Sequence, residues 1–113
     1  MNGIVEDLRR KKCQACLPGT APLPAGQVQS LLGVLAGWTL EGGCIAKTFQ
    51  FADYHQTMAF VNASAWISHR EDHHPDLLVG YNRCRVSYVT HAIGGLSEND
   101  FICAAKLDAL FEH

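Results

Sequence analysis

The sequence predicts an α+β domain, a four-stranded antiparallel sheet with three helices packed on one face, in the order α-β-β-α-β-β-α. Three observations lead there. Apolar residues recur at helical spacing in three stretches. Two pairs of short alternating runs lie between those stretches. Each pair is closed by a tight turn, Gly42-Gly43 in the first and Asn82 in the second. Such turns join antiparallel neighbours, whereas parallel strands need a long crossover. The chain has 113 residues, enough for one domain that buries roughly two thirds of its unfolded surface. Residues 1–26 read as a flexible or loosely packed N-terminal arm, and 27–113 as the folded domain.

The arm begins with charged residues, Arg9 to Lys12, and continues through Cys13-Gln14-Ala15-Cys16 into a stretch holding Pro18, Gly19, Pro22, Pro24 and Gly26. Proline at that density resists regular structure. The Cys-x-x-Cys pair has neither a second ligand pair nor a surrounding βαβ pattern, so it is expected to be an ordinary thiol pair in a loose arm. The first helix is predicted from Gln27 to Ala36, with Val28, Leu31, Leu32 and Leu35 on one stripe and Gly37 as its stop. Trp38-Thr39-Leu40 reads as a short strand. In the second strand Ile45, Lys47, Phe49 and Phe51 share a face, and the lysine implies that this face is partly open or that its side chain snorkels.

The second helix is predicted from an Asp53 cap to about Arg70. Tyr54, Met58, Val61 and Ala65 make one stripe, and Phe60, Ala63 and Ile67 make another. Two stripes imply cover on two sides, which in so small a chain points to a second subunit. Pro75 stops helical structure and biases His74 away from it. Leu77 to Tyr81 is the third strand. In the fourth, Cys84, Val86, Tyr88 and Thr90 face one way, and Arg83, Arg85, Ser87, Val89 and His91 the other. Ser97-Glu98-Asn99-Asp100 resembles a capping box with Asp in the acidic position. The helix it opens carries Cys103, Leu107 and Leu110 and ends near Phe111.

The totals exclude several functions. A formal net charge of −2 gives no electrostatic case for direct nucleic-acid binding. No apolar run has the roughly 18 residues of a membrane span, and no apolar core follows the basic residues as in a signal peptide. Five scattered cysteines suit free thiols in a reducing, cytoplasmic setting.

The chemistry concentrates in Glu71-Asp72-His73-His74-Pro75. Four of the six histidines, His69, His73, His74 and His91, fall in this region, and histidine titrates nearest neutrality. One reading is a metal site. His69 and His73 stand at i, i+4, with His91 or Asp72 as a further ligand, although the segment is not the His-Glu-x-x-His of zinc proteases. Another is general acid–base catalysis, in which His73, His74 and His91 converge and Asp72 orients or charges one of them. Ordinary capping and surface contacts are a third. No Ser or Cys stands in a nucleophile motif.

Asp72-His73-His74-Pro75, Tyr81-Asn82, Thr90-His91, Gly95-Leu96-Ser97 and Asp100 together resemble the signature of the pterin-4a-carbinolamine dehydratases, also called 4a-hydroxytetrahydrobiopterin dehydratases. Gly37-Trp38 and Phe49-Gln50-Phe51 match the N-terminal part of that family. The likeness runs from about Gln27 to Leu110. It implies a four-stranded antiparallel sheet with three helices, and homodimers or homotetramers formed through sheet edges and the second helix. It implies dehydration of 4a-hydroxytetrahydropterin to quinonoid dihydropterin without metal or organic cofactor, recycling the pterin used by aromatic amino-acid hydroxylases such as phenylalanine hydroxylase. By the same resemblance, His73, His74 and His91 are catalytic. Asp72, Trp38 and Asp100 match pocket residues, Asp72 as one that polarises the site, Trp38 as an aromatic wall near the pterin with a core position as its equal alternative, and Asp100 as an aspartate near the third histidine whose position also makes it a simple helix cap. The chain departs from animal members at His69, where they have a glutamate near the site, and at Leu77, where they have a tryptophan. Animal members also serve as dimerisation cofactors of a homeodomain transcription factor, so a pterin-binding or protein-binding regulatory module is the alternative reading.

Overall fold

The computed structural model describes residues 3–111. The chain forms helices α1 (Gly3–Arg10) and α2 (Ala25–Leu32), strands β1 (Thr39–Glu41) and β2 (Cys44–Gln50), and helix α3 (Tyr54–Glu71). Strands β3 (Asp76–Val79) and β4 (Arg83–Tyr88), a 3-10 turn (His91–Ile93) and helix α4 (Glu98–Ala109) complete it. The four strands are antiparallel in the order β1-β2-β4-β3, as the two tight turns required. Each hairpin supplies one central strand, and β2 pairs with β4 so that Ile45 faces Tyr88 and Phe49 faces Cys84.

The alternation read in β4 sets the core. Cys84, Val86 and Tyr88 are fully buried and join Ile45 and Phe49 beneath the helices. A large apolar side chain sealed in this way contributes about 1.5–3 kcal/mol. Lys47 shares that face, and its position is resolved by α4. Its Nζ donates to Asp108 Oδ1 (2.9 Å) and to the Ala36 carbonyl (3.1 Å).

Two expectations are corrected. There are four α-helices among the described residues, and the segment expected to be a loose arm is docked. Leu8 of α1 is 2% exposed in the core. Lys106 Nζ on α4 donates to the Arg9 carbonyl at the end of α1 (2.7 Å), tying the last turn of that helix to α4. Further along, Leu23 N donates to Leu96 O (2.9 Å). Pro22 lies so close to Gly95 that a β-carbon there would stand 2.9 Å from the proline ring. With α1, α3 and the sheet around it, α4 is buried continuously from Asn99 to Ala105, not on a single face.

A third correction is on α3. Its buried positions are Thr57, Phe60, Ser64, Ser68 and Glu71, while Tyr54 and Trp66 are exposed. Small polar side chains line the buried face because the backbone satisfies two of their hydroxyls. Thr57 Oγ1 donates within reach of the Asp53 and Tyr81 carbonyls (both 2.9 Å), and Ser64 Oγ donates to Val61 O (2.7 Å). Such local bonds remove most of the cost of burying a hydroxyl.

Candidate active site

Helix α3 ends at a residue that is neither glycine nor asparagine. Asp72 adopts the left-handed conformation (φ 51°) and its amide reaches the Ser68 and His69 carbonyls. The His73 amide also returns to Ser68 O (3.2 Å). Aspartate tolerates this backbone better than most residues. The reversal separates the two histidines that follow. His73 turns inward, with 11% of its side chain exposed, whereas His74 stays exposed.

The inward ring meets the first turn of α4. His73 Nε2 lies 2.6 Å from Asp100 Oδ1, and the imidazole stacks on Tyr88 with centroids 5.8 Å apart and planes 8° from parallel. Asp100 is fully buried. Its second oxygen accepts from Thr90 Oγ1 (2.8 Å) and from the Ser97 amide (3.0 Å). Thr90 uses its one hydroxyl hydrogen on Asp100, so the Ser97 hydroxyl, 2.7 Å away, donates to Thr90, while the Asn99 amide donates to Ser97 Oγ (3.2 Å). The capping box expected from the sequence is therefore present, and its acidic member also fixes an imidazole. With Nε2 held by the carboxylate, Nδ1 is the other nitrogen of the ring.

His91 was expected on the outer face of β4. The strand instead stops at Tyr88, and a Thr90–Gly95 bridge folds residues 91–93 into the 3-10 turn. That turn brings His91 to the same cavity as His73, His74 and Asp72. The cavity measures about 440 Å³, with Thr90, Asn99 and residues 12–16 of the docked arm among its lining. A larger cavity of about 610 Å³ lies by the C-terminal end of α4, lined by Lys47, Phe49 and Asp108 among others. It contains no histidine, so size does not decide between the two.

The structure does not bring every expected site residue to the cavity. Trp38 is 4% exposed, its Nε1 donates to Asp108 Oδ2 (3.1 Å), and it packs on Phe49 and Tyr88. It is core, separated from His73 by the Tyr88 ring. His69 is exposed beside Trp66 and does not line the cavity. The helical i, i+4 pairing of His69 with His73 is lost because α3 ends before His73. Among the described residues no group of three His, Cys, Asp or Glu side chains is arranged to hold a metal ion.

Sequence reasoning missed the arm's part in this wall. The Gln14 amide donates to Asn99 Oδ1 (3.0 Å), Asn99 Nδ2 donates to Gln14 O (2.6 Å), and the Cys13 amide donates to Glu71 Oε1 (2.9 Å). Burial alone would push the Glu71 carboxyl up. The Cys13 amide, Lys106 and Lys12 outweigh it and hold the group below the usual carboxylate range. Tyr88 is driven the other way, since burial raises its phenol and Cys103, Cys13 and Asp100 add to the effect. Its hydroxyl has no hydrogen-bond partner among the described residues.

The chain is similar to known proteins. Residues 21–110 match the family model for pterin 4 alpha carbinolamine dehydratase. The chain belongs to that family. A Nitrosospira multiformis protein is 58% identical over 112 residues, covering 99% of each chain, and one from Nitrosomonas europaea is 61% identical over 107 residues, covering 94% of this chain and 95% of its own. Both carry the name "Putative pterin-4-alpha-carbinolamine dehydratase". A crystal structure of a transcriptional coactivator/pterin dehydratase from Brucella melitensis is 30% identical. It superposes with a TM-score of 0.76 over 79% of this chain and 97% of its own. The dehydratase-family match begins after the Cys-containing segment, yet the Nitrosospira alignment extends across it. Among the described residues, no helix is long and apolar enough to cross a membrane.

Proposed function

We propose that the chain dehydrates 4a-hydroxytetrahydropterin to quinonoid dihydropterin by histidine acid–base chemistry without a metal. The observation that carries this reading is the inward His73, gripped by the buried Asp100 carboxylate in a cavity that also holds His74 and His91. The reaction needs two proton movements. The 4a-hydroxyl leaves as water after gaining a proton, and N5 gives one up. His73 and His91 are assigned to these transfers, and the exposed His74 to binding and orienting the pterin. Asp100 fixes the His73 ring, so its Nδ1 is the exchanging atom. Asp72 acts through the backbone reversal that separates the two neighbouring histidines. The product would return to an aromatic amino-acid hydroxylase, and the cytoplasmic setting expected from composition belongs to the same reading.

The test is stopped-flow absorbance of 4a-hydroxytetrahydropterin decay with purified, chelator-treated protein. Acceleration that survives chelation is expected. Decay at the uncatalysed rate would refute the reading.

A second reading, as a protein-binding module, draws on the Brucella relative's coactivator name and on surface chemistry. Edge strand β3 exposes Leu78 and Val79, with Tyr81 just beyond it, and α3 exposes Tyr54 and Trp66. Exposed apolar edges are sites of strand pairing. Association of copies through β3 and α3 is compatible with either function. Sedimentation should show an assembly that Leu78→Lys weakens.

A further inference from the structure

The arm's cysteines play no part in the proposed reaction, and the fold gives one of them a partner far away in sequence. Cys13 Sγ lies 3.7 Å from Cys103 Sγ, about 1.7 Å beyond the ~2.0 Å of a disulfide bond. Cys103 is fully buried on α4, whereas Cys13 is partly exposed and lines the histidine cavity. Cys16 is directed elsewhere. Its thiol donates to Gln14 O (3.8 Å), and Asn99 Nδ2 donates to its sulfur (3.6 Å). The Cys-x-x-Cys spacing is therefore not the pairing that the fold prepares. Cys103 sits within a helix, but Cys13 lies in irregular chain between α1 and α2, where a small displacement disturbs no helix or strand.

We propose that Cys13 and Cys103 form a reversible thiol–disulfide site, oxidised by a hydroperoxide, that locks the arm onto α4 beside the histidine cavity. Cys13 is reached from the cavity. Its thiolate attacks the peroxide, the O–O bond breaks, and Cys13 becomes a sulfenic acid while the departing hydroxide takes a proton to leave as water. The Cys103 sulfur then attacks the Cys13 sulfur. The S–O bond breaks, the S–S bond forms, and the Cys103 proton departs with the oxygen as a second water. With hydrogen peroxide, two thiols give one disulfide and two waters, and a dithiol restores both thiols. The neighbouring Cys13 and burial both raise the Cys103 thiol pKa, so Cys103 resolves the sulfenic acid and does not start the reaction. The bond would join residues 90 apart, and such long loops constrain the unfolded chain most. The site is independent of the dehydration reading and is tested without a pterin.

The experiment treats the full chain, natively folded, with hydrogen peroxide, then reads intact mass, non-reducing peptide maps and thermal unfolding. The expected result is loss of two hydrogens per chain, a peptide joining Cys13 to Cys103, and a Tm several degrees higher, all reversed by dithiothreitol. Cys13→Ser should abolish the link and Cys16→Ser should leave it intact. Cys13→Ser replaces a partly exposed residue, so it tests the pair without opening a hole at buried Cys103. A Cys13–Cys16 link, a link between chains, oxygen addition with no link, or an unchanged Tm in linked protein would overturn the proposal.

Discussion

At the N-terminal end of α4, Asp100 is fully enclosed and its oxygens are taken by His73, Thr90 and the Ser97 amide. At the C-terminal end, Asp108 keeps 17% of its side chain exposed and accepts from Lys47 Nζ and Trp38 Nε1. Each aspartate joins a helix end to the strands or the chain beside it, and each stands near a cavity. The helix dipole favours the first carboxylate and opposes the second, which Lys47 offsets through an ion pair of 2.9 Å. The difference that matters is the partner. A lysine beside a carboxylate stays charged through the neutral range, while an imidazole exchanges its proton there. Cavity volume does not separate the end proposed for chemistry from the other. The kind of proton held against the carboxylate does.

The largest test of this contrast is at His73. His73→Ala should lower dehydration at least about a hundredfold with the fold intact by circular dichroism, and His91→Ala should do likewise. Unchanged turnover in both would erase the distinction between the two ends. Next come the aspartates themselves. Asp100→Ala strips three hydrogen bonds from buried groups and should cost about 3–5 kcal/mol in urea unfolding, together with turnover. Asp108→Ala should cost about 1–3 kcal/mol and leave turnover unchanged. Equal losses of activity would mean that the Lys47 end also serves the reaction. Trp38→Phe sharpens the same point more gently. It removes one hydrogen bond, costing about 1 kcal/mol, and should leave KM for the pterin unchanged because Trp38 is core. A raised KM would return it to the pocket wall.

The smallest expected effect is the acid response of the arm. Glu71 has a folded pKa below its unfolded value, so its contribution is fully present above the unfolded value of about 4.3 and is lost as pH falls through the folded one. Unfolding measured from neutral pH into the acid range should show this loss. Glu71→Gln should flatten that part of the profile. An identical profile in the variant would show that ionisation of Glu71 contributes nothing to stability in that range.

Features governed by local rules were legible in the sequence. Asp53 caps α3 through a bond from the Gln56 amide, Ser97 and Asp100 form the capping box, and β4 buries every second residue, as the chain's pattern said. Features set by tertiary context were not. Helix α1 has only Ile4, Val5 and Leu8 as large apolar residues, of which Leu8 is buried and Ile4 exposed; they are too few to register as a stripe, and the helix is held by α4. The buried face of α3 hides in Thr57, Ser64 and Ser68, whose hydroxyls count as polar in any periodicity reading. The family resemblance named three histidines that line one cavity. It also named Trp38, which the fold buries; a core tryptophan and a pocket tryptophan are the same residue in a string of letters. Asp72 gave no warning of its left-handed backbone, since glycine is the residue that usually marks such a stop.

Asp100 closes the first turn of α4 and orients the His73 ring with the same carboxylate. Helix ends fray at temperatures where the rest of a fold is still closed, so each opening of that turn would also free the imidazole. On warming, catalytic capacity should decay while the far-ultraviolet signal of the helices is still unchanged. For the proposed reaction, the useful working range would then be set by one hydrogen-bonded corner and would end below the melting point.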